Sequence, residues 1–321
     1  MALHPELRAS LRLPAVCAPM FLVSGPELVT EACKAGIVGG LPRQNARSFE
    51  EFDNWLGSIR RALDEHTQRT GQTTGPVAVN LATRVPEEEL GRHFDACSRH
   101  GVKIVITVGG DPTALIRRAH DAGLQVFHDI TSIRFAEKAI AAGADGLNCI
   151  GAGGGGHSGT ISHLALIRTV RAIYSGTIVM GGAVSDGATI RAAEVLGADL
   201  AYLGTRFIAT QESRAPQAYK DLLVSQTSAD LSYTDGIAGV HANWLVQSIR
   251  DAGLDPQNLP RPLGKSMRHD HLPEGVAPWK NVWSAGQGID LIHDIPPVQA
   301  LVQRLSDEYD QACALPPFAL R

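Results

Sequence analysis

The feature that most constrains the fold is a repeat of short apolar runs, each followed by an amphipathic helical segment, between residues 15 and 210. Continuous apolar runs are typical of strands buried on both faces, and such strands belong to parallel sheets covered by helices. We predict eight strands, at 15–21, 37–41, 77–81, 103–108, 125–130, 146–150, 177–180 and 200–203. The first four intervening helices are predicted at 26–35, 48–66, 87–100 and 112–122.

Four of the helical segments end in nearly the same phrase, which reads Lys-Ala-Gly at 34–36, Asp-Ala-Gly at 121–123, Ala-Gly-Ala-Asp at 142–145 and Leu-Gly-Ala-Asp at 196–199. Glycine in this place predicts a left-handed C-terminal cap before a buried strand. Ser24 is placed to cap the first of these helices at its N-terminus. Eight such repeats predict an α/β chain folded as a (β/α)8 TIM barrel, with a doubly wound open sheet as the alternative.

Composition excludes several classes of protein. The 321 residues are 44% hydrophobic with a mean hydropathy of -0.03, as in soluble globular proteins. A net charge of -4 gives no reason to expect nucleic acid or an anionic membrane as a partner. The start of the chain lacks a secretory pattern, and the five cysteines are scattered without a Cys-x-x-Cys pair. We therefore expect a cytoplasmic protein with reduced thiols.

The strand–helix pattern changes after Gln211. Residues 211–285 carry helix-like stretches at 217–226 and 244–252 and a proline-rich segment at 255–278, and 296–313 reads as a final helix. We predict a barrel formed by residues 1–210 and 286–321. Residues 211–285 would form a smaller cap region, inserted before the last helix, that packs over the barrel mouth and contributes to the substrate site.

Five glycines fill six positions from Gly151 to Gly156, and His157 follows at once. Backbone amides in such a run form a concave nest suited to a phosphate, and an imidazole at its edge is placed to move a proton. His157 is the candidate catalytic base, with a structural histidine as the alternative. A flexible linker fits poorly in mid-domain. The run also satisfies G-x-G-x-x-G, but no helix or ribose-binding acid follows, so we reject a Rossmann site.

In a TIM barrel the active site lies at the C-terminal ends of the strands. The candidate residues fall there, and they are Pro19, Met20, Asn80, His128, Gly154, Gly155, Gly181, Gly182, Gly204 and Thr205. Phosphates commonly bind after strands seven and eight, so Gly182 and the Gly204–Thr205 pair are the predicted phosphate-binding site. We assign no role to His128 or His163. No metal site is predicted, since His269 and His271 read as solvated.

These residues resemble the nitronate monooxygenase, or 2-nitropropane dioxygenase-like, family of FMN-containing (β/α)8 barrels. The resemblance covers about residues 13 to 305. It is carried by the motifs Ala18-Pro-Met20, Ser24-Gly-Pro-Glu27, Asn80, Gly154-Gly-Gly-His157-Ser-Gly159, Met180-Gly-Gly-Ala183, Leu203-Gly-Thr-Arg-Phe207, Glu212-Ser213 and Trp283-Ser-Ala-Gly-Gln-Gly288.

The resemblance implies that FMN is the cofactor and that nitronates or nitroalkanes and O2 are the substrates. Met20 and Asn80 would contact the flavin, and His157 would take the α-proton of a neutral nitroalkane. The products would be a carbonyl compound and nitrite. The phosphate and ribityl chain would be held by Gly155, Gly182, Gly204 and Thr205, with Pro19, Gly154 and Gly181 also in the cofactor site.

Three residues depart from the pattern of the family. Ile150 replaces a flavin-contacting Gln, Gly153 replaces a Glu, and Asp129 stands where many relatives of the family carry a basic residue. These departures leave open an NAD(P)H-dependent flavin reductase acting on quinones or enoyl thioesters. They also leave open a non-catalytic flavin- or phosphate-binding barrel in which His157 is structural. The sequence does not fix the oligomeric state, a homodimer included.

Overall fold

The computed structural model describes residues 3–83, 85–260 and 269–316. Arg84 lies outside the described residues, as do residues 261–268 of the predicted proline-rich segment. The same holds for residues 1–2 and 317–321, at the two ends of the predicted barrel domain.

Eight parallel strands close into a barrel in the order in which they occur in the chain, which confirms the predicted (β/α)8 fold and excludes the open sheet. A twisted parallel sheet of eight strands with a helix in every crossover closes in this way. The strands are β1 (Ala15–Cys17), β2 (Val38–Pro42), β3 (Val77–Ala82), β4 (Ile104–Val108), β5 (Gln125–Ile130), β6 (Gly146–Ile150), β7 (Thr177–Gly181) and β8 (Leu200–Leu203).

Helices alternate with these strands and continue beyond them. They are α1 (Pro5–Ala9), α2 (Pro26–Lys34), α3 (Phe49–Thr70), α4 (Glu87–Arg99), α5 (Thr113–Asp121), α6 (Ile133–Ala141), α7 (His163–Ile173), α8 (Gly187–Leu196), α9 (Thr205–Ile208), α10 (Gln217–Ser225), α11 (Val246–Asp251) and α12 (Val298–Cys313). Within the described residues, three short 3₁₀ helices cover Arg43–Asn45, Ser228–Asp230 and Gln287–Leu291. No helix among the described residues is both long and apolar enough to cross a bilayer.

The repeated glycine motif at the helix ends has the predicted left-handed backbone geometry. The glycines after α2, α5, α6 and α8 are left-handed, with φ of 83° at Gly36, 72° at Gly123, 90° at Gly143 and 106° at Gly197. No sequence pattern indicated what the aspartates at the ends of two of these motifs do. Asp145 accepts a hydrogen bond from the Val126 amide at 2.8 Å, and Asp199 accepts one from the Ile178 amide at 2.9 Å. Each carboxylate thus joins its own strand to the preceding one.

Strand β1 ends at Cys17, four residues before its predicted end, because Pro19 lacks an amide proton for the ladder. The prediction that Ser24 caps α2 is wrong, since Gly25 occupies that position without a side-chain hydrogen bond. Ser24 Oγ instead accepts from the Met20 amide at 3.0 Å and lies 3.3 Å from the Ala18 carbonyl oxygen. Its hydroxyl therefore shapes the loop that follows β1.

Alternate strand residues point into the barrel, where an apolar cluster fills the end at which the strands begin. Its members are Leu7, Val16, Val38, Ala78, Ile104, Ile106, Phe127, Val179 and Leu200. Leu7 belongs to α1, a helix that the sequence analysis did not predict. The opposite strand faces pack against the surrounding helices in a second and larger core. Helix α1 therefore closes the N-terminal end of the barrel.

Residues 231–245 form an antiparallel hairpin of β9 (Leu231–Thr234) and β10 (Ala242–Leu245). The predicted helix start at Trp244 is wrong, because Trp244 lies in β10 and is fully buried. Its apolar neighbours Ala242 and Leu245 are buried too, so the residues fit a strand covered on both faces. The final helix, α12, packs against α2 and α8 and so returns to the barrel wall as predicted.

Candidate functional site

The end of the barrel at which the strands finish carries every predicted cofactor residue, and it is not closed by side chains. Met20, Ile150, Gly182 and Thr205 are only half-buried there, whereas the opposite end is buried. The ends of β1 and β8 meet, because a Cβ atom built on Gly204 would lie 3.8 Å from the sulfur of Met20. The predicted residues therefore border one cleft at the barrel mouth.

The glycine run after β6 is a packed loop rather than a linker. The amide of Gly151 donates to the Gly181 carbonyl at 3.1 Å, that of Ala152 to Ile161 at 3.0 Å, and that of Gly154 to Gly151 at 3.1 Å. These three amides are engaged within the protein and are not free for an anion. The Gly155 and Gly156 amides donate to no described residue, which moves the candidate nest to the end of the run.

His157 follows this free end of the loop, and the residue is exposed. Surrounding protein still removes enough water to lower its pKa below the ordinary value of 6.5, so the neutral form is favoured at neutral pH. Neither ring nitrogen has a hydrogen-bond partner within the described residues. The ring instead stacks on Trp279, with centroids 5.2 Å apart and planes inclined by 22°.

The loop after β6 packs closely against the loop after β7, and glycines on both loops allow this contact. Gly182 has φ of 107°, and a Cβ atom there would lie 2.6 Å from Nε2 of His163 and 2.7 Å from the Gly154 nitrogen. His163 Nε2 lies 2.9 Å from the Gly181 carbonyl oxygen, which can only accept, so His163 braces the loop. The Gly182 amide donates to no described residue. Only glycine fits this position, and its amide is left for a ligand.

A segment from the C-terminal part of the chain closes onto the same loops. The Gly286 amide donates to Thr205 Oγ1 at 2.8 Å, and the Gln287 amide donates to the Gly153 carbonyl at 2.9 Å. A Cβ atom on Gly155 would lie 2.8 Å from the Gly286 nitrogen, so close packing explains this glycine at least in part. The motif at 283–288 therefore supports the loops that follow β6 and β8.

Asn243 also holds the glycine loop, and the sequence analysis missed it. Its side chain is buried, and Nδ2 donates to the carbonyls of Ala152 at 3.1 Å and Gly154 at 2.7 Å. A single asparagine on a short strand carries no sequence signal for such a contact across 90 residues of chain. The hairpin thus fixes the loop that carries His157.

Asn80 and Pro19 are both placed at the mouth. Asn80 is buried, accepts a hydrogen bond from Gln44 Nε2 at 3.2 Å and donates one to the Ile106 carbonyl at 3.3 Å. A Cβ atom on Gly40 would lie 2.6 Å from Cδ of Pro19, so the proline ring packs on the backbone of β2. These contacts fix the two residues in position.

The floor of the cleft is polar. Asp129, Asn148 and Tyr202 point into the barrel above its apolar end, and Asn148 Nδ2 donates to Asp129 Oδ1 at 2.7 Å. Burial raises the pKa of Asp129 to about 7 and that of Tyr202 well above its ordinary value. The other amide atom of Asn148, Oδ1, is buried without a partner in the described part of the chain. The departure at Asp129 was the only sequence signal for this cluster.

His128 faces the helices and not the cleft. Its Nδ1 lies 2.7 Å from the Thr107 hydroxyl, and burial lowers the pKa of the imidazole to about 4. His271 Nε2 lies 2.9 Å from the Gly236 carbonyl oxygen. The structure therefore gives both histidines structural contacts.

The cleft has properties that suit a phosphate-bearing planar cofactor. No atom lies within 4 Å of a Cβ atom built on Gly156, so bare backbone faces open space there. Asn148 Oδ1 and Ser158 Oγ are buried polar atoms without a partner among the described residues. Buried polar atoms of this kind call for a ligand or water. A flavin with a phosphate tail fits this combination of donors, acceptors and uncovered glycine.

The chain is similar to known proteins of one family. The family model described as nitronate monooxygenase matches residues 43–308. The nitronate monooxygenase of Pseudomonas aeruginosa is 30% identical over 209 residues, which are 60% of this chain and 59% of that protein.

The (3aS,4S,5R,7aS)-5-hydroxy-7a-methyl-1-oxo-octahydro-1H-indene-4-carboxyl-CoA dehydrogenase of Rhodococcus jostii is 26% identical over 227 residues, 71% of this chain and 61% of that protein. The chain thus spans about six tenths of the length of these curated relatives. Among solved structures, nitroalkane oxidase from Streptomyces ansochromogenes superposes with a TM-score of 0.76 at 26% identity, covering 98% of this chain and 99% of that one.

Proposed function

Because the chain belongs to the nitronate monooxygenase family, we propose that it is an FMN-dependent oxidoreductase that converts alkyl nitronates and nitroalkanes with O2 into carbonyl compounds and nitrite. The observation that carries the proposal is the position of His157. A neutral imidazole without a hydrogen-bond partner in the described chain stands at the edge of a cleft lined by bare glycine backbone. A base free to accept a proton, beside a site for a phosphate-bearing cofactor, suits this chemistry.

The residues that would hold FMN surround the mouth. The free amides at Gly155 and Gly182 would bind phosphate oxygens, since oriented backbone amides form an anion site without a charged side chain. Met20 and Asn80 would contact the ring system from the sides of β1 and β3. The remaining predicted contacts are those of Pro19, Gly154, Gly181, Gly204 and Thr205.

His157 would act on neutral nitroalkanes. One ring nitrogen takes the proton from the carbon that bears the nitro group, and the electron pair of the broken C–H bond moves onto the nitro oxygens. A lowered pKa keeps the imidazole neutral before this step. A nitronate is already deprotonated and would bypass the step. FMN, when bound, supplies the electron transfer and oxygen chemistry that the side chains cannot.

The test is an anaerobic absorbance experiment on the purified protein. Oxidised flavin absorbs near roughly 370 and 450 nm, and these bands would be followed after adding a propane-2-nitronate solution and, separately, NADH or NADPH. Bleaching by the nitronate but not by reduced nicotinamide supports the proposal. Protein purified and reconstituted with FMN that shows no flavin band would contradict the cofactor assignment.

The second candidate is an NAD(P)H-dependent flavin reductase that acts on enoyl thioesters or quinones. It is favoured by the relative from Rhodococcus jostii, whose name refers to a carboxyl-CoA substrate. Bleaching by NADH or NADPH alone would support this reading. In a non-catalytic barrel, neither reagent would bleach a bound flavin.

A further inference from the structure

We propose that Trp279 is the positioning residue of His157, and that the indole holds the imidazole in place by stacking where other enzymes would use a hydrogen bond. The inference rests on the proposed role of His157 as the base. It concerns a residue that lies more than 120 positions away in the chain and outside every motif of the sequence analysis.

The contact geometry supports this role. The two rings lie 5.2 Å apart with planes inclined by 22°, which is a stacked arrangement. No described residue offers a hydrogen bond to either imidazole nitrogen. A histidine base is ordinarily oriented by a partner on its second nitrogen. Here the aromatic face is the one specific contact of the ring within the described residues.

Trp279 is itself held in place by a second tryptophan. Its indole lies 5.2 Å from that of Trp244, at 40°, and Trp244 is fully buried with its Nε1 donating to the Thr234 carbonyl at 3.2 Å. Trp244 belongs to a buried apolar cluster that includes Ile237 and Val282. The stack therefore runs from the core of the hairpin region to the base at the mouth, and the hairpin region sets the position of the imidazole.

The backbone at Trp279 is strained in a way that needs compensation. Its φ is 61°, in the left-handed region that bulky residues rarely adopt. The conformation is held by the Trp279 amide, which donates to the Val282 carbonyl at 2.8 Å. Asn281 braces the same turn, accepting from the Ala277 amide and donating to the Gly275 carbonyl, each at 2.8 Å. Strain of this kind persists where the surrounding contacts fix it, and it clusters at functional sites.

Stacking on the indole has two consequences for the imidazole. It restricts the side-chain rotation of His157, so that a ring nitrogen faces the cleft before substrate arrives. It also covers one face of the ring against water, and loss of water is the cause of the lowered pKa. Removing the indole would loosen the base and return its pKa towards the ordinary value.

The experiment compares three variants. Trp279→Leu removes the aromatic face, Trp279→Phe keeps it, and Trp55→Leu is the matched control, since Trp55 lies on α3 beneath the guanidinium of Arg214. The imidazole of His157 is titrated by NMR in each variant, with its resonance assigned from the spectrum of His157→Gln. Initial rates with a neutral nitroalkane and with its nitronate are measured on FMN-loaded protein.

For Trp279→Leu we expect a raised His157 pKa and a kcat with neutral nitroalkane about tenfold lower, with nitronate turnover within about twofold. Trp279→Phe should recover most of both changes, and Trp55→Leu should show neither. An unchanged titration and kcat in folded Trp279→Leu would overturn the inference. Equal losses with nitroalkane and nitronate would also overturn it. The titration does not depend on turnover, so it tests the stack even where nitroalkane is not a substrate.

Discussion

The two ends of the barrel are built from the same eight strands but differ in what the inward-facing residues do. At the N-terminal end these residues are apolar and buried, and Leu7 of α1 covers them. At the C-terminal end the inward positions include the polar residues Asn80, Asp129, Asn148 and Tyr202, and the loops above them are rich in glycine. One end gains stability by excluding water, and the other keeps polar groups available to a ligand.

The closed end of the barrel contributes mainly to stability, and the open end carries the groups proposed for chemistry. Burying the apolar end contributes stability in proportion to the area removed from water. The polar end does the opposite, because Asn148 Oδ1 has no partner in the described structure and Asp129 has a raised pKa. A substitution at the closed end should therefore change stability without changing turnover. A substitution that removes a ligand-binding or reacting group at the mouth should change turnover or cofactor binding.

The largest effect is expected for His157→Ala, which removes the proposed base. Loss of a general base lowers the rate by about 10²-fold to 10⁴-fold, so turnover of neutral nitroalkane should fall by at least about 10²-fold. FMN binding and the urea midpoint should not change. Rates with the nitronate, measured in parallel, should fall far less.

The matched control is His120→Ala, near the start of β6. His120 Nε2 lies 2.8 Å from Asp145 Oδ2, and its side chain is 43% exposed. The variant should keep full activity and lose less than about 1 kcal/mol of stability. Equal activity losses in the two histidine variants would break the division between the ends.

The next effect is expected for Leu7→Ala, which opens the closed end. Leu7 is 8% exposed, and truncating a buried leucine costs about 2–5 kcal/mol through lost burial and the cavity left behind. The free energy of unfolding, measured by urea denaturation, should fall by about 2 kcal/mol, the lower part of this range. The kcat of the folded variant should match that of the wild type, and a tenfold loss of kcat would contradict the separation.

A pair of glycine substitutions compares the two ends at positions of positive φ. Gly182→Ala at the mouth combines φ of 107° with a clash at 2.6 Å, whereas Gly123→Ala at the closed end has φ of 72° and no atom within 4 Å. Gly123→Ala should lose about 1–2 kcal/mol of stability from the left-handed conformation, and Gly182→Ala should lose more because the clash adds to that cost. Only Gly182→Ala should also weaken FMN binding, by about tenfold or 1.4 kcal/mol, in a fluorescence titration. Equal FMN affinity in the two variants would contradict the predicted role of Gly182 in the phosphate-binding site.

The smallest effect is expected for Asp129→Asn. The pKa of this carboxyl rises from 3.8 to about 7 in the folded protein, so the native state keeps a proton that the unfolded chain releases. Stability should therefore fall as pH rises from about 4 to about 7 and stay low above that range. The variant removes this loss and keeps an oxygen that can accept from Asn148.

We expect Asp129→Asn to be more stable than the wild type by about 1 kcal/mol at pH 8, with little difference at pH 4. The gain is smaller than a fully buried carboxyl would give, since Asp129 is half-exposed to the cleft. Urea denaturation of the FMN-free protein at the two pH values measures it. A variant that is less stable at pH 8 than at pH 4, relative to the wild type, would contradict the assigned pKa shift.

The sequence alone predicted the barrel, because its signals are local. Apolar runs of strand length and glycines after the helices are read within a few residues, and the left-handed φ of Gly36 and Gly197 follows from their type and position. The candidate residues at the mouth were predicted for the same reason, since strand ends meet at one face of a parallel barrel.

The contacts that fix the site come from distant parts of the chain and could not be read locally. Asn243 reaches the glycine loop from the hairpin, and Trp279 reaches His157 from beyond it. The hairpin itself was missed, because Trp244 sits in an apolar run that suits a short strand as well as a helix start. Helix α1 was missed because only the barrel end buries its single leucine.

The amino-acid sequence by itself thus determined the (β/α)8 barrel and the end of the barrel that carries the candidate residues, because strand periodicity and helix caps act over short distances. Only the tertiary structure decided which amides of the glycine run are free and that the pKa of Asp129 is raised. It also decided what His157 packs against. These properties depend on water excluded and atoms brought together by packing between distant segments, which no local pattern encodes.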